Sequence, residues 1–596
     1  MKNIKLFSLM AGLLFLASCS LDEVNPSAIS TDQEWKTAAG YEKLVNSCYF
    51  DLIRMVYGQA EDTFIINAEC GTDIWQDVDP NGAKGNWSKL MRYDGDFSGL
   101  CGEAYEGFYS TVNQCNAAIA YAEKVEGLTP DQINALVAEA YFLRAHSLYH
   151  LVEQYGGKYL STTPTASPIT TLPCSTVNEF YQVILADLEF AMNHLPVSHE
   201  VYGHVTRAAA YHLYAKCCLT YAAYTDGQGN AEAITTAEAQ QLYTKAKDAA
   251  EYLISNAASL GVRLYDDVVE VYDEKNNKTN AEALFVVCHS TIQAYNPRGN
   301  YYNRAWKHFS AYNASTAGIY LDGLTASYAT EVNGVTVPKL AKGNCYAAPS
   351  KYMLDLYKEG DKRYEAFFGD KFYINKANNA DGTAYTWTET DANRYGLNPN
   401  RVGNSAYDIP LGELAIYISR ESYTQEERDA AAYAIINIED NYKNPAQPDR
   451  FFPSLKKLDT PSLYAGSNAS KPYSAADCIV YRLGETYLLA AEAYWRLGDN
   501  QKAADRLNVL RQRAGATTYT AADIDQDELL DEYAREMVGE WNRWFTLKRY
   551  RAFESRLKLA NPQITKFDPA THYLRPIPAW MLTGIENGAE YQNPGY

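Results

Sequence analysis

Beyond its first seventeen residues the chain has no apolar run long enough to cross a bilayer, which takes about 20 residues. It has no excess of positive charge. Its 53 Lys and Arg stand against 73 Asp and Glu, a formal net charge of −20, and a nucleic-acid binder needs the opposite balance. It has no C-x-x-C pair, so the cysteine spacing of zinc sites is absent. It has no G-x-S-x-G, H-E-x-x-H, P-loop or G-x-G-x-x-G, the local signatures of several hydrolase and nucleotide-dependent chemistries. Nor does it have the apolar poverty of a disordered chain, since 47% of its 596 residues are hydrophobic. What it has in surplus is tyrosine, with 50 Tyr against 19 Phe and 9 Trp. Each Tyr brings an apolar ring and a hydroxyl that must be paired or wet, which suits polar cores or sticky surfaces.

The N-terminus sets the compartment. Lys2 and Lys5 precede an apolar stretch, Leu6 to Ala17, the layout of a secretory signal rather than a span. Leu16-Ala17-Ser18-Cys19 resembles a bacterial lipobox, which makes residues 1–18 a signal peptide and Cys19 the expected lipidation site. Asp22 and Glu23 follow, resembling the surface-export signal of Bacteroidetes lipoproteins, so residues 19–30 read as an acidic tether. With Cys19 acylated, ten of the 11 cysteines remain, and their scatter leaves room for one or two disulfides without assigning any.

Residues 31–596 read as one domain in three stretches. In 31–259, Thr129-Pro130-Asp131-Gln132 is a capping box with Pro at the first helical position. Ala138, Tyr141, Ala145, Leu148 and Val152 then mark one helix face, ended by Gly156-Gly157. Thr176, Thr206 and Thr235 open further helices, and Glu103 to Lys124 is helical. Residues 260–476 are rich in Tyr, Asn, Gly and Pro, with Ala283–Val287 as a strand and a short helix near 349–357. Long loops on a rigid scaffold commonly carry binding surface. In 477–596 helical spacing returns through Val480, Leu483, Tyr487, Ala490 and Tyr494, then a Gly498 turn and a return helix from Lys502 to Arg513. That is the tetratricopeptide plan. A last long helix is expected from Gln526 to Arg549.

Several of these stretches resemble the SusD/RagB family of Bacteroidetes outer-membrane nutrient-uptake lipoproteins. They are Ala138–Ala145 with Gln154–Gly157, Asp187-Leu188 with Leu195-Pro196, Arg482–Ala493, Asn508–Gly515, Arg535–Phe545, Leu574–Pro578 and Gln592–Tyr596. The resemblance implies a mostly α fold: a tetratricopeptide-like scaffold of about four helix pairs carrying the irregular middle as its ligand face. It also implies a non-catalytic protein that sits as a lid on a TonB-dependent outer-membrane transporter (SusC-like) and captures oligosaccharide, or in some members peptide. A surface glycoside hydrolase, and a lid with negligible affinity of its own, are the alternatives from other classes.

The candidate chemistry follows from residue type. Sugars lay C–H faces on aromatic rings and bond their hydroxyls to Asn, Asp and Arg. Trp75 and Trp87, with Asp73 and Asn86, flank a polar turn; Trp306, with Asn303 and Arg304, and Trp387 lie in the irregular middle. These eight are the expected ligand residues. Asp77, Asp79 and Asn81 match the first half of a calcium loop, but Ser88 stands where the closing Glu belongs, so a turn is the commoner explanation and no cofactor is expected. His146 and His150 share a helix face at metal-ligand spacing without an identifiable third ligand, and read as a core pair. A glycosidase needs two facing carboxylates, and nothing selects a pair among the 73 acidic residues; Glu536 and Glu540 share a helix face but fall within a stretch that reads as scaffold.

Overall fold

Local capping starts the helices of the N-terminal scaffold. In the computed structural model of the chain, residues 31–58, 63–78, 85–165, 167–227, 231–292, 295, 303–312, 321, 324, 331–337, 343–443, 451–460, 464–465 and 473–596 are described; Cys19, Asp79 and Asn81 lie outside them. The early elements are α1 (Ala38–Ser47), α2 (Thr63–Glu69), β1 (Trp75–Asp77), α3 (Asn86–Arg92) and α4 (Gly102–Tyr121). Then come α5 (Pro130–Tyr155), α6 (Val177–His194), α7 (Arg207–Ala222) and α8 (Thr236–Ser255). Reciprocal capping boxes open α5 at Thr129/Gln132, α6 at Thr176/Glu179 and α8 at Thr235/Glu238. Thr206 precedes α7 without a side-chain cap bond. From α4 onward each helix packs on the next, and none among the described residues is long and apolar enough to cross a membrane.

The single apolar stripe expected on α5 is corrected. From Val137 to Tyr155 every side chain is buried except the half-buried Tyr141, because α4 and α6 pack on α5 and further side chains cover what remains. Several of the polar groups thus enclosed are answered, though neither ring nitrogen of His150 has a hydrogen-bond partner. Arg144 pairs bidentately with Asp187 at 2.8 and 2.7 Å. Glu153 accepts from Tyr181 and Tyr224 at 2.6 and 3.0 Å. His146 lies between the hydroxyls of Tyr57 (3.0 Å) and Tyr481 (2.7 Å), and burial pushes its pKa down to about 3. His150 stacks on Phe108 at 5.1 Å. This pair is a core pair.

The middle of the chain holds short strands: β2 (Ala283–Val287), β3 (Ala347–Pro349), β4 (Lys371–Tyr373), β5 (Leu414–Ser419) and β6 (Ala434–Asn437). β5 pairs parallel with β6 and antiparallel with β4. The helical array then resumes through β7 (Cys478–Arg482), α9 (Leu483–Arg496), α10 (Asn500–Arg513), α11 (Gln526–Met537) and α12 (Arg543–Arg549). The α9–α10 hairpin docks on α8, so one scaffold continues across the irregular stretch. Helical spacing from Val480 misplaced one boundary. Cys478–Arg482 pairs antiparallel with β2 instead, and α9 starts at Leu483.

The expected helix from Gln526 to Arg549 is broken between α11 and α12. The buried Glu69 carboxylate causes the break, accepting the backbone N–H groups of Gly539 (3.1 Å) and Asn542 (2.9 Å). Gly539 adopts φ +78 there, and a Cβ on it would meet Leu455 Cδ2 at 2.4 Å. Gly539→Val is therefore expected to destabilise the fold by about 3 kcal/mol, combining overpacking with a strained φ. A chemical-denaturation midpoint within error of wild type would show that the break tolerates a side chain.

Behind the break lies a buried ion network. The Arg482 guanidinium bonds Glu540 at 2.7 Å, Glu282 at 3.0 Å and Glu536 at 2.8 Å. Arg513 reaches Glu282 and Glu536, both at 2.6 Å, and Arg363 bridges Glu532 and Glu536 at 2.9 and 3.2 Å. Burial opposes ionisation of Glu536, but Arg513, Arg482 and Arg363 outweigh it and hold the carboxyl below the usual range. All ten cysteines from Cys48 to Cys478 are free thiols, so no disulfide staples this scaffold.

Candidate functional site

The site is assembled on backbone pairing. β1 runs antiparallel to β3, with Trp75 opposite Pro349 and Asp77 opposite Ala347. Just before β3 the chain hooks onto a 3-10 turn, Ala305–Phe309. The N–H of Asn344 donates to Lys307 O at 2.7 Å, and that of Tyr346 donates to His308 O at 3.0 Å. Between them Cys345 takes φ +55, and Gly343 allows the close pass, since a Cβ there would lie 2.5 Å from Ser310 Cβ. On the other side α3 packs on β1, held by the Arg92 Nε to Asp77 Oδ2 bond at 2.8 Å.

These anchors bring three rings together. Trp87, in the first turn of α3, stacks on His308 with centroids 4.7 Å apart and planes 28° apart. It meets Tyr346 at 5.4 Å, and His308 stacks on Tyr346 at 5.6 Å. His308 is buried, while Trp87 and Tyr346 are half-buried and Asn86 beside them is exposed. Burial raises the Tyr346 pKa, so its phenol stays a neutral hydrogen-bonding group. The result is an aromatic wall, part of it open to solvent, with the exposed Asn86 next to Trp87 in the chain. That composition suits the C–H faces and hydroxyls of a sugar.

Of the eight expected ligand residues the structure leaves three with solvent access: Trp87, Asn86 and the half-buried Arg304. The other five are corrected to core positions, because a ring or carboxylate without an accessible face meets no ligand. Trp75 is fully buried, packs on Phe309 at 4.4 Å and donates its indole N–H to Glu69 at 3.0 Å. Trp306 is fully buried, and Trp387 sits edge-on to Tyr385 in the core. Asp73 is fully buried and pairs with Arg543 Nε at 2.7 Å and Arg556 Nε at 3.0 Å; burial opposes its ionisation, but the two guanidiniums outweigh it and lower its pKa. Asn303 accepts from the Ala305 N–H at 3.0 Å and donates to Cys478 Sγ at 3.1 Å, so both ends of its amide are spent inside the protein. In the weak calcium candidate, Asp77 spends one carboxylate oxygen on Arg92. Glu536 and Glu540 lie inside the ion network.

His308 and Tyr346 were missed. His308 lies two residues after Trp306, and a lone His beside a Trp carries no spacing that marks it as ligand surface. Tyr346 carried no local signal among so many tyrosines, since only the β1–β3 register brings it beside Trp87.

Comparison with known proteins fits this architecture. The SusD family model matches residues 281–596, and one described as "Starch-binding associating with outer membrane" matches residues 20–219. SusD-like protein P2 of Formosa agariphila is 25% identical over 611 aligned residues, covering 98% of this chain and 98% of that protein. The starch-binding protein SusD of Bacteroides thetaiotaomicron is 33% identical over 128 residues, 21% of this chain and 22% of its own. Among solved structures, a laminarin binding SusD-like protein has a TM-score of 0.63 at 19% identity, covering 94% of this chain and 100% of that one. Surface glycan-binding protein A from Bacteroides thetaiotaomicron also has a TM-score of 0.63, at 18% identity with the same two coverages. The fold is thus the tetratricopeptide-like scaffold of SusD-like structures. With more than half of its length inside the family model, the chain belongs to the SusD family.

Proposed function

We propose that this protein is a cell-surface glycan-binding lipoprotein that captures oligosaccharide on the Trp87–His308–Tyr346 wall. The observation that carries this reading is the partly open stack itself, with the rings of Trp87 and Tyr346 half-buried against His308. Sugar rings lie against Trp87 and Tyr346, while Asn86 and Arg304 bond hydroxyls. Binding on two half-buried rings is shallow and gains from several sugar units. Names among the similar proteins support a glycan rather than a peptide: one is starch-binding, one laminarin binding, one surface glycan-binding. The protein is non-catalytic in this reading. Glu536 and Glu540, four residues apart in sequence, are committed to Arg482, Arg363, Arg513 and Lys457.

Acyl chains on Cys19 hold the protein to the outer membrane, each buried CH₂ contributing about 0.8 kcal/mol. A TonB-dependent transporter receives the captured glycan, with this protein as its lid. Calorimetric titration against laminarin, starch and other glycans, beside a peptide digest, tests the ligand class. The expected result is saturable binding to one glycan class without product release. Saturable binding to peptides alone, or release of shortened sugars, would overturn it.

A further inference from the structure

A second cluster lies away from the aromatic wall, where the α6–α7 connection crosses α5. Glu139 of α5 is buried, and its Oε2 accepts from His204 Nδ1 at 2.7 Å and from the Tyr49 hydroxyl. His199 stacks on His204 with centroids 4.1 Å apart and planes 5° apart. One ligand atom from each of Glu139, His199 and His204 lies within 4.8 Å of the others. The loop is led there by Gly203, at φ +101, where a Cβ would fall 2.6 Å from Cys288 Sγ. Tyr49 braces the cluster from behind, accepting the Val205 N–H at 3.1 Å while donating to Glu139.

We infer that Glu139, His199 and His204 form a divalent transition-metal site of the zinc type, which ties the α6–α7 connection to α5. Two imidazoles and one carboxylate, with a water in the fourth position, make a tetrahedral zinc set. The Tyr49 bond to Glu139 is the outer-shell bond that orients a ligating carboxylate. His199 Nδ1 accepts the Val201 N–H at 3.0 Å, which leaves Nε2 for the metal. Parallel stacked rings cannot both aim a lone pair at one ion, so binding turns the His199 ring out of the stack. That ring is held by the stack and the Val201 bond, and the turn is local. Metal at His204 Nδ1 displaces the proton that this nitrogen donates to Glu139.

The test is zinc titration of the purified, chelator-treated chain, without a histidine tag, against a competing indicator. Wild type is expected to bind one tight equivalent, and zinc is expected to raise its thermal midpoint. His199→Ala, which removes no buried partner, is expected to weaken that equivalent at least tenfold and abolish the thermal shift while helical circular dichroism is unchanged. Glu139→Gln, which retains a hydrogen-bonding amide for Tyr49, is expected to weaken it similarly. Absence of a tight equivalent in wild type, or equal zinc affinity in wild type and His199→Ala, would overturn the proposal.

Discussion

Arg482→Met is expected to destabilise the protein by about 3–5 kcal/mol, the cost of breaking a buried ion pair from one side. Arg482 is fully buried and reaches Glu282, Glu536 and Glu540 through its guanidinium, and the Glu536 backbone carbonyl at 2.8 Å. Methionine matches much of the volume but leaves three carboxylates short of a cation. Arg513, Arg363 and Lys457 still touch them, which keeps the loss from being larger. Arg482→Lys keeps the charge without the planar fork, so its stability is expected to fall between the two. Denaturant midpoints of the three proteins check the order, and equal midpoints for Arg482→Met and wild type would contradict it.

Alkaline unfolding should be abrupt, because so much of the tyrosine is inside. Burial pushes the phenols of Tyr57, Tyr149, Tyr155, Tyr181, Tyr224 and Tyr481 well above their ordinary pKa of 10.0. In the unfolded chain they ionise near pH 10; in the folded protein they stay neutral. Stability from these groups is therefore intact below pH 10 and is lost as pH rises above it. Each contributes about 1.4 kcal/mol per pH unit, so six contribute about 8 kcal/mol per unit. Whole domains are stable by about 5–15 kcal/mol. Lys457 and Lys548, pushed down to about 8 by burial, act in the opposite direction between pH 8 and 10.5, but they are two against six. The expected result is a steep rise in tyrosinate absorbance at the same pH as loss of helical circular dichroism, between about pH 10 and 12. Gradual ionisation with the helices intact would contradict it.

The scaffold was legible in the sequence because its signals are local or chemically strict. Three capping boxes gave three helix starts within a residue. The motifs that suggested the family supply much of the buried charge: Arg482, Glu485 and Glu492, then Arg511 and Arg513, then Arg535, Glu536, Glu540 and Arg543. A buried charge needs a partner of fixed type at a fixed place, so it leaves a readable trace. The break at Gly539 was not legible, because its cause, Glu69, lies 470 residues away in sequence. The ligand face failed for a related reason. Trp75 and Trp306 look like Trp87 in a loop-rich sequence, yet the first two fill the core. Burial there is decided by the pairing of β1 with β3 and by Phe309, contacts between segments far apart in the chain. The tyrosine surplus divides on the same line: the phenols around α5 are core hydrogen-bonders, and Tyr346 faces the site.

If glycan is held at the Trp87 stack, calorimetric titration of Trp87→Ala with the glycan that wild type binds must show it. Loss of the stacked indole should weaken binding at least tenfold, about 1.4 kcal/mol or more, in a protein that keeps its helical signal and cooperative unfolding. Wild-type affinity in a folded Trp87→Ala protein would place the glycan elsewhere.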